Sequence, residues 1–107
     1  MIELRRYQLE DNRSPVTDWL RGLRDMRARA QIEVRLRRVS TGNFGDCKAV
    51  GEGISELRVD IGSGYRVYYG KHGATLVILL CGGDKSSQQP DITQAKAYWA
   101  DWKRRNS

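Results

Sequence analysis

Five polar residues in one short stretch carry whatever chemistry this chain performs. Ile54–Gly70, ISELRVDIGSGYRVYYG, alternates polar and apolar residues on both sides of a Gly-Ser-Gly turn at 62–64. Side chains alternate across a strand with period two. Glu56, Arg58 and Asp60 therefore share one face of the first strand, and Leu57, Val59 and Ile61 the other. With residues 62–64 as the loop, Ile61 is expected opposite Tyr65, Asp60 opposite Arg66, Val59 opposite Val67 and Arg58 opposite Tyr68. Opposed residues project to the same side. The polar face then gathers Glu56, Arg58, Asp60, Arg66 and Tyr68, with Leu57, Val59, Ile61, Tyr65, Val67 and Tyr69 behind it. Paired guanidiniums match phosphate oxygens bidentately, and Tyr68 is placed to stack on a base or hydrogen-bond to it. A solvated sheet face with an Asp60–Arg66 ion pair, contributing about 0.2–1 kcal/mol, uses the same residues without chemistry.

Three further places bear on function. Residues 21–38 hold seven arginines against Asp25 and Glu33, so +5 of the net charge of +6 lies there. Arg24, Arg27, Arg35 and Arg38 lie on one side of an expected helix. They suit either a solvated face or a ridge contacting phosphates. The segment Cys81-Gly82-Gly83-Asp84-Lys85 reads as a loop that brings Lys85 to the sheet edge; it lacks the GxxxxGK[ST] spacing of a phosphate loop. His72, the single histidine, falls in a Lys-His-Gly turn and reads as an exposed turn residue. Cys47 and Cys81 have no CxxC spacing and read as packing residues in a reducing compartment. No cluster has metal-ligand spacing, so no metal or cofactor is expected.

The elements that must position these groups follow from pattern. Residues 2–8 alternate as a strand, Ser14-Pro15 opens a helix with the stripe Val16, Trp19, Leu20 and Leu23, and Asp25 caps a second helix to about Val39. A short strand near Cys47–Val50 precedes Ile54–Ile61, Tyr65–Gly70 and Ala74–Cys81. The last of these is apolar throughout, as in a strand covered on both faces. Asp91 is expected to cap a final helix with the buried stripe Ile92, Ala95, Trp99 and Trp102. The class is α+β, ordered β-α-α-(β)-β-β-β-α, with the helices expected on one face of a mostly antiparallel sheet.

At 107 residues the chain reads as one domain, 1–107. Its 19 Lys+Arg against 13 Asp+Glu favour an anionic partner. No stretch approaches the roughly 20 apolar residues of a membrane span, and MIELRRYQLEDN lacks the apolar core of a signal peptide. The expected setting is cytoplasmic.

In its motifs the chain resembles the RelE/ParE superfamily of toxins from type II toxin–antitoxin modules, and within it the HigB-like, phage-associated addiction module killer branch. The likeness rests on Val16-Thr17-Asp18-Trp19-Leu20, on Glu56-Leu57-Arg58-Val59 followed by Gly64-Tyr65-Arg66-Val67-Tyr68-Tyr69, and on Leu79-Leu80-Cys81-Gly82-Gly83-Asp84-Lys85 with Gln88, Asp91 and Ile92 beyond. The resemblance implies a RelE-like (microbial RNase-like) fold: a twisted, mostly antiparallel sheet of four or five strands, two N-terminal helices and one C-terminal helix. It implies a metal-independent, ribosome-dependent mRNA endoribonuclease that is neutralised by a cognate antitoxin, a small helix-turn-helix protein from the adjacent gene. Arg66 matches the family's phosphate-binding arginine, with Arg58 and Lys85 supporting it. Glu56, Asp60 and Lys85 are the candidates for proton transfer, because Pro90-Asp91-Ile92 stands where some members carry a catalytic tyrosine. A non-enzymatic toxin of the gyrase-inhibitor type, or an antitoxin-binding module without nuclease activity, is the alternative.

Overall fold

Two side-chain caps start the helical layer. In the computed structural model, which describes residues 1–107, Ser14 Oγ accepts from the Thr17 amide at 3.3 Å and Asp25 Oδ1 from the Ala28 amide at 3.0 Å. Each satisfies an amide that the first turn leaves free, contributing about 1 kcal/mol. They open α1 (Pro15–Gly22) and α2 (Met26–Ser40). The strands are β1 (Glu3–Arg6), β2 (Cys47–Gly51), β3 (Ile54–Val59), β4 (Tyr65–His72) and β5 (Leu76–Asp84). A 3₁₀ turn at Lys85–Ser87 leads into α3 (Gln88–Arg105).

The fold is α+β with one mixed five-stranded sheet, ordered β1-β5-β4-β3-β2. β1 runs parallel to β5, and every other pairing is antiparallel. The helices do not share one face. α1 and α2 cover Leu57, Val59, Val67, Val77 and Leu79, whereas α3 lies on the other side over Ile54, Tyr68, Ile78 and Leu80. The reason is visible along β3 and β4. The face that carries Glu56, Arg58 and Arg66 also carries Ile54 and Tyr68 at its far end, and that end needs an apolar cover.

β5 is longer than its apolar run predicts, because Gly82, Gly83 and Asp84 are strand rather than loop. Both glycines are packing residues: a Cβ on Gly82 would enter the Trp19 ring of α1, and one on Gly83 would meet Asp91 and Ser87 beneath α3. A bulge where Tyr68 pairs with Cys81 but Tyr69 pairs with Leu79 turns both Leu80 and Cys81 toward α3.

Other boundaries also shift. β1 stops at Arg6, and Tyr7 turns under α3 to donate to Asp101 Oδ2 at 2.6 Å. Asp91 sits inside the first turn of α3 rather than capping it, and accepts from Ser87 Oγ at 2.6 Å. Of the expected stripe, Ile92, Ala95 and Trp99 are buried, whereas Trp102, near the end of α3, is only half-buried. Cys81 is buried and Cys47 is exposed, so only the former is a packing residue. No helix is long and apolar enough to cross a membrane.

Candidate functional site

The hairpin differs from the predicted pairing by two residues. Val59 lies opposite Tyr65, Arg58 opposite Arg66, Leu57 opposite Val67 and Glu56 opposite Tyr68. β3 ends at Val59, so residues 60–64 form the turn. That turn is closed by Ile61 N to Val59 O at 3.1 Å and by Gly64 N to Ile61 O at 2.9 Å. Gly62 and Gly64 take φ of 58° and 83° there, conformations that suit glycine. A shift of two preserves which residues share a face. It removes the expected Asp60–Arg66 pair, because Asp60 now belongs to the exposed turn.

The pairing that results sets two like charges directly opposite each other, which by itself is destabilising. Glu56 resolves part of it. Its carboxylate is 1% exposed, with Oε1 3.3 Å from Arg58 Nε and Oε2 3.0 Å from Arg66 Nε. Gln88 Nε2, from the first turn of α3, donates to Oε2 at 3.4 Å. Glu56 is therefore an internal counter-ion with its oxygens committed, and it does not face solvent as an accessible general base would. Both arginines are held through Nε, and their terminal nitrogens make no hydrogen bond within the chain. One carboxylate against two guanidiniums leaves a positive charge over.

Both arginines line an open cleft of about 190 Å³ whose wall also includes Lys85, Asp60, Asp46 and Tyr65. Lys85 is exposed on the 3₁₀ turn, and its stem crosses Gly64, where a Cβ would stand 2.7 Å from Cε. The structure thus brings together Arg58, Arg66 and Lys85, with Asp60 on the rim. The rim carboxylates are exposed, where salt screens them. Asp46 and Tyr65 are wall residues that strand alternation does not reveal. Asp46 arrives because its carbonyl accepts from the Arg58 amide at 2.9 Å. Tyr65 is the aromatic ring actually on the wall.

Tyr68 is not available to a base. It has no exposed surface, and its hydroxyl lacks a hydrogen-bond partner. Burial, followed by the charges of Glu56 and Asp91, pushes its ionisation far above the ordinary tyrosine range. Alternation assigns it correctly to the face of the arginines but does not disclose that α3 covers that end.

The arginine ridge is also divided. Arg24 precedes the Asp25 cap and lies outside α2. Arg35 is a structural fastener: its Nη1 donates to Arg58 O at 2.5 Å, and its Nη2 to Phe44 O and Asp46 O at 3.1 Å each. Arg27 and Arg38 remain exposed on α2. His72 is exposed at the opposite end of β4 from the cleft, edge-on to Trp102 with ring centroids 5.2 Å apart.

No family model matches the chain. Over 78 residues it is 58% identical to an uncharacterized protein of Haemophilus influenzae, an alignment that covers 73% of this chain and 79% of that protein.

Proposed function

The chain belongs to the same family as that Haemophilus influenzae protein, and we propose that it is the toxin of a type II toxin–antitoxin module with a RelE-like fold, acting as a ribosome-dependent mRNA endoribonuclease. The observation that carries this is the opposed pair Arg58 and Arg66, paired at Nε with one buried carboxylate and lining one cleft with Lys85. In this reading Arg66 holds the scissile phosphate, with Arg58 and Lys85 stabilising charge that develops on it as the 2′-hydroxyl attacks. Tyr65 replaces Tyr68 as the aromatic group that a base would meet. With Glu56 buried, Asp60 and Lys85, both exposed on the wall, are the remaining candidates for proton transfer. The cognate antitoxin, a small helix-turn-helix protein, would neutralise the toxin by covering the cleft, with acidic groups speeding association.

A second reading has its own observation. Glu56 and Tyr68 are both withdrawn from solvent, which leaves the cleft with few groups able to move a proton. That favours a toxin that binds its target without cleaving it, such as a gyrase-type inhibitor.

Inducible expression with and without the neighbouring gene, with RNA 5′ ends mapped, separates the two. Growth arrest relieved by the neighbour, with new 5′ ends inside codons, is the result expected for the nuclease. Arrest with intact mRNA and damaged DNA is the result expected for the binding toxin.

A further inference from the structure

The residues under the cleft hold one more donor than they use. Glu56 accepts from Gln88, pairs with Arg58 and Arg66, and lies directly opposite Tyr68 in the strand register. Directly opposed residues have Cβ atoms about 4.5–5.5 Å apart, and the Glu56 charge is among the causes that raise the Tyr68 hydroxyl's ionisation, so the two side chains are neighbours. That hydroxyl is fully buried and unpartnered. Arg66 Nε is also buried and lies 3.0 Å from Glu56 Oε2, yet it is out of line for a hydrogen bond. A carboxylate with a strained hold on one arginine thus stands beside an idle donor.

We propose that Glu56 is a positioning residue and the exchangeable counter-ion of the cleft. An incoming phosphate group takes over Arg66, and the Glu56 carboxylate turns to accept from the hydroxyl of Tyr68. Two facts on the hairpin favour such a movement. A phosphate between Arg58 and Arg66 approaches a carboxylate of like charge that is itself buried and so poorly screened. Besides Arg66 Nε, the one buried side-chain donor without a partner is the Tyr68 hydroxyl. In the free protein Glu56 keeps both guanidiniums aimed; in the bound state it yields one of them and remains satisfied. A purely structural triad would have no use for the Tyr68 hydroxyl.

This inference rests on the cleft's being a phosphate site, and the test separates the two. Inorganic phosphate is titrated into the full chain, with the arginine Nε–Hε signals followed by NMR. Glu56→Gln, which removes the competing charge and keeps the shape, is expected to bind phosphate on the order of tenfold more tightly. In RNA cleavage it should lower KM while also lowering kcat, because the guanidiniums are less well aimed. Tyr68→Phe is expected to keep the fold and bind phosphate about fivefold more weakly, since the displaced carboxylate loses the donor it would turn to. A merely structural role would move the melting temperature while leaving phosphate affinity no better than wild type in Glu56→Gln and unchanged in Tyr68→Phe. Unchanged or weaker binding by Glu56→Gln, or unchanged binding by Tyr68→Phe, overturns the exchange while the phosphate site stands. If Glu56→Gln does not fold, Tyr68→Phe decides alone. Absence of saturable phosphate binding by the wild-type chain overturns both.

Discussion

Arg58 and Arg66 stand directly opposite each other on β3 and β4, with one buried carboxylate, that of Glu56, shared between them. Like charges in this position repel, and a buried ion pair broken on one side is destabilising by about 3–5 kcal/mol. The arrangement therefore binds the hairpin tightly enough to survive, yet leaves two guanidiniums sharing one carboxylate, with Lys85, Asp46 and Asp60 on the cleft wall around them.

Arg35 should matter for stability in a way its neighbours do not. It donates to three backbone carbonyls at Arg58, Phe44 and Asp46, and hydrogen bonds from a charged donor contribute about 1.5–3 kcal/mol each in favourable cases. Urea unfolding of Arg35→Ala is expected to show a loss of about 3 kcal/mol. Arg27→Ala and Arg38→Ala, on the exposed side of α2, should stay within about 0.5 kcal/mol of wild type. Equal effects at the three positions would contradict the fastener role.

Asp60 is the rim carboxylate nearest in sequence to the arginines, and it is exposed. Asp60→Asn should tighten phosphate binding about two- to fivefold at low salt. That gain should disappear near 1 M salt, where the screening length falls to about 3 Å. If cleavage depends on Asp60 for proton transfer, the same variant binds RNA more tightly and cuts it more slowly. Tighter binding with undiminished cleavage would remove Asp60 from the reaction.

Cys81 gives a signed pH dependence. Burial, and then the charge of Asp91, push its thiol from 9.0 up to about 12. The unfolded chain therefore releases this proton at lower pH than the folded one. Stability is complete below about pH 9 and falls between pH 9 and 12, by about 1.4 kcal/mol per pH unit for this group. Burial raises Tyr68 and Tyr69 in the same sense. Unfolding of Cys81→Ala across this range should show a shallower alkaline decline than wild type; an identical slope would exclude the thiol. Under native conditions a thiol reagent should modify Cys47 and spare Cys81.

Gly82 should be intolerant of a side chain. A Cβ there enters the Trp19 ring, so Gly82→Ala must displace α1 from β5 and is expected to cost about 1–3 kcal/mol. Pairing it with Trp19→Leu should recover part of that loss, measured by a double-mutant cycle. No recovery would mean that α1 and β5 do not meet as described.

What was legible in the chain was local. Ser14 and Asp25 cap helices because their side chains satisfy amides three residues on, a relationship written in nearby letters. The faces of β3 and β4 follow from alternation, which survives the two-residue shift in register. The shift itself was hidden, because turn length depends on how Gly62 and Gly64 are used, and a Gly-Ser-Gly run fits a turn of either three or five residues. Gly82 and Gly83 resemble a loop in sequence, since the side chains that require them to be glycine come from α1 and α3. The burial of Glu56 and Tyr68 was hidden for the same reason: only the placement of α3 across that end of the sheet closes it. Arg58, Arg66 and Lys85 were recognisable as one group, while Asp46 and Tyr65 entered the wall through tertiary contacts alone.

The most direct test of the central claim is a translation reaction with purified ribosomes and a defined mRNA, read by 5′-end mapping, comparing wild type with Arg66→Lys. Lysine keeps the charge but loses the planar fork and the Nε contact to Glu56. The account predicts cleavage within codons by wild type and a loss of about 100-fold or more in Arg66→Lys, with both proteins folded. Intact mRNA with the folded wild-type protein, or undiminished cleavage by Arg66→Lys, would contradict it.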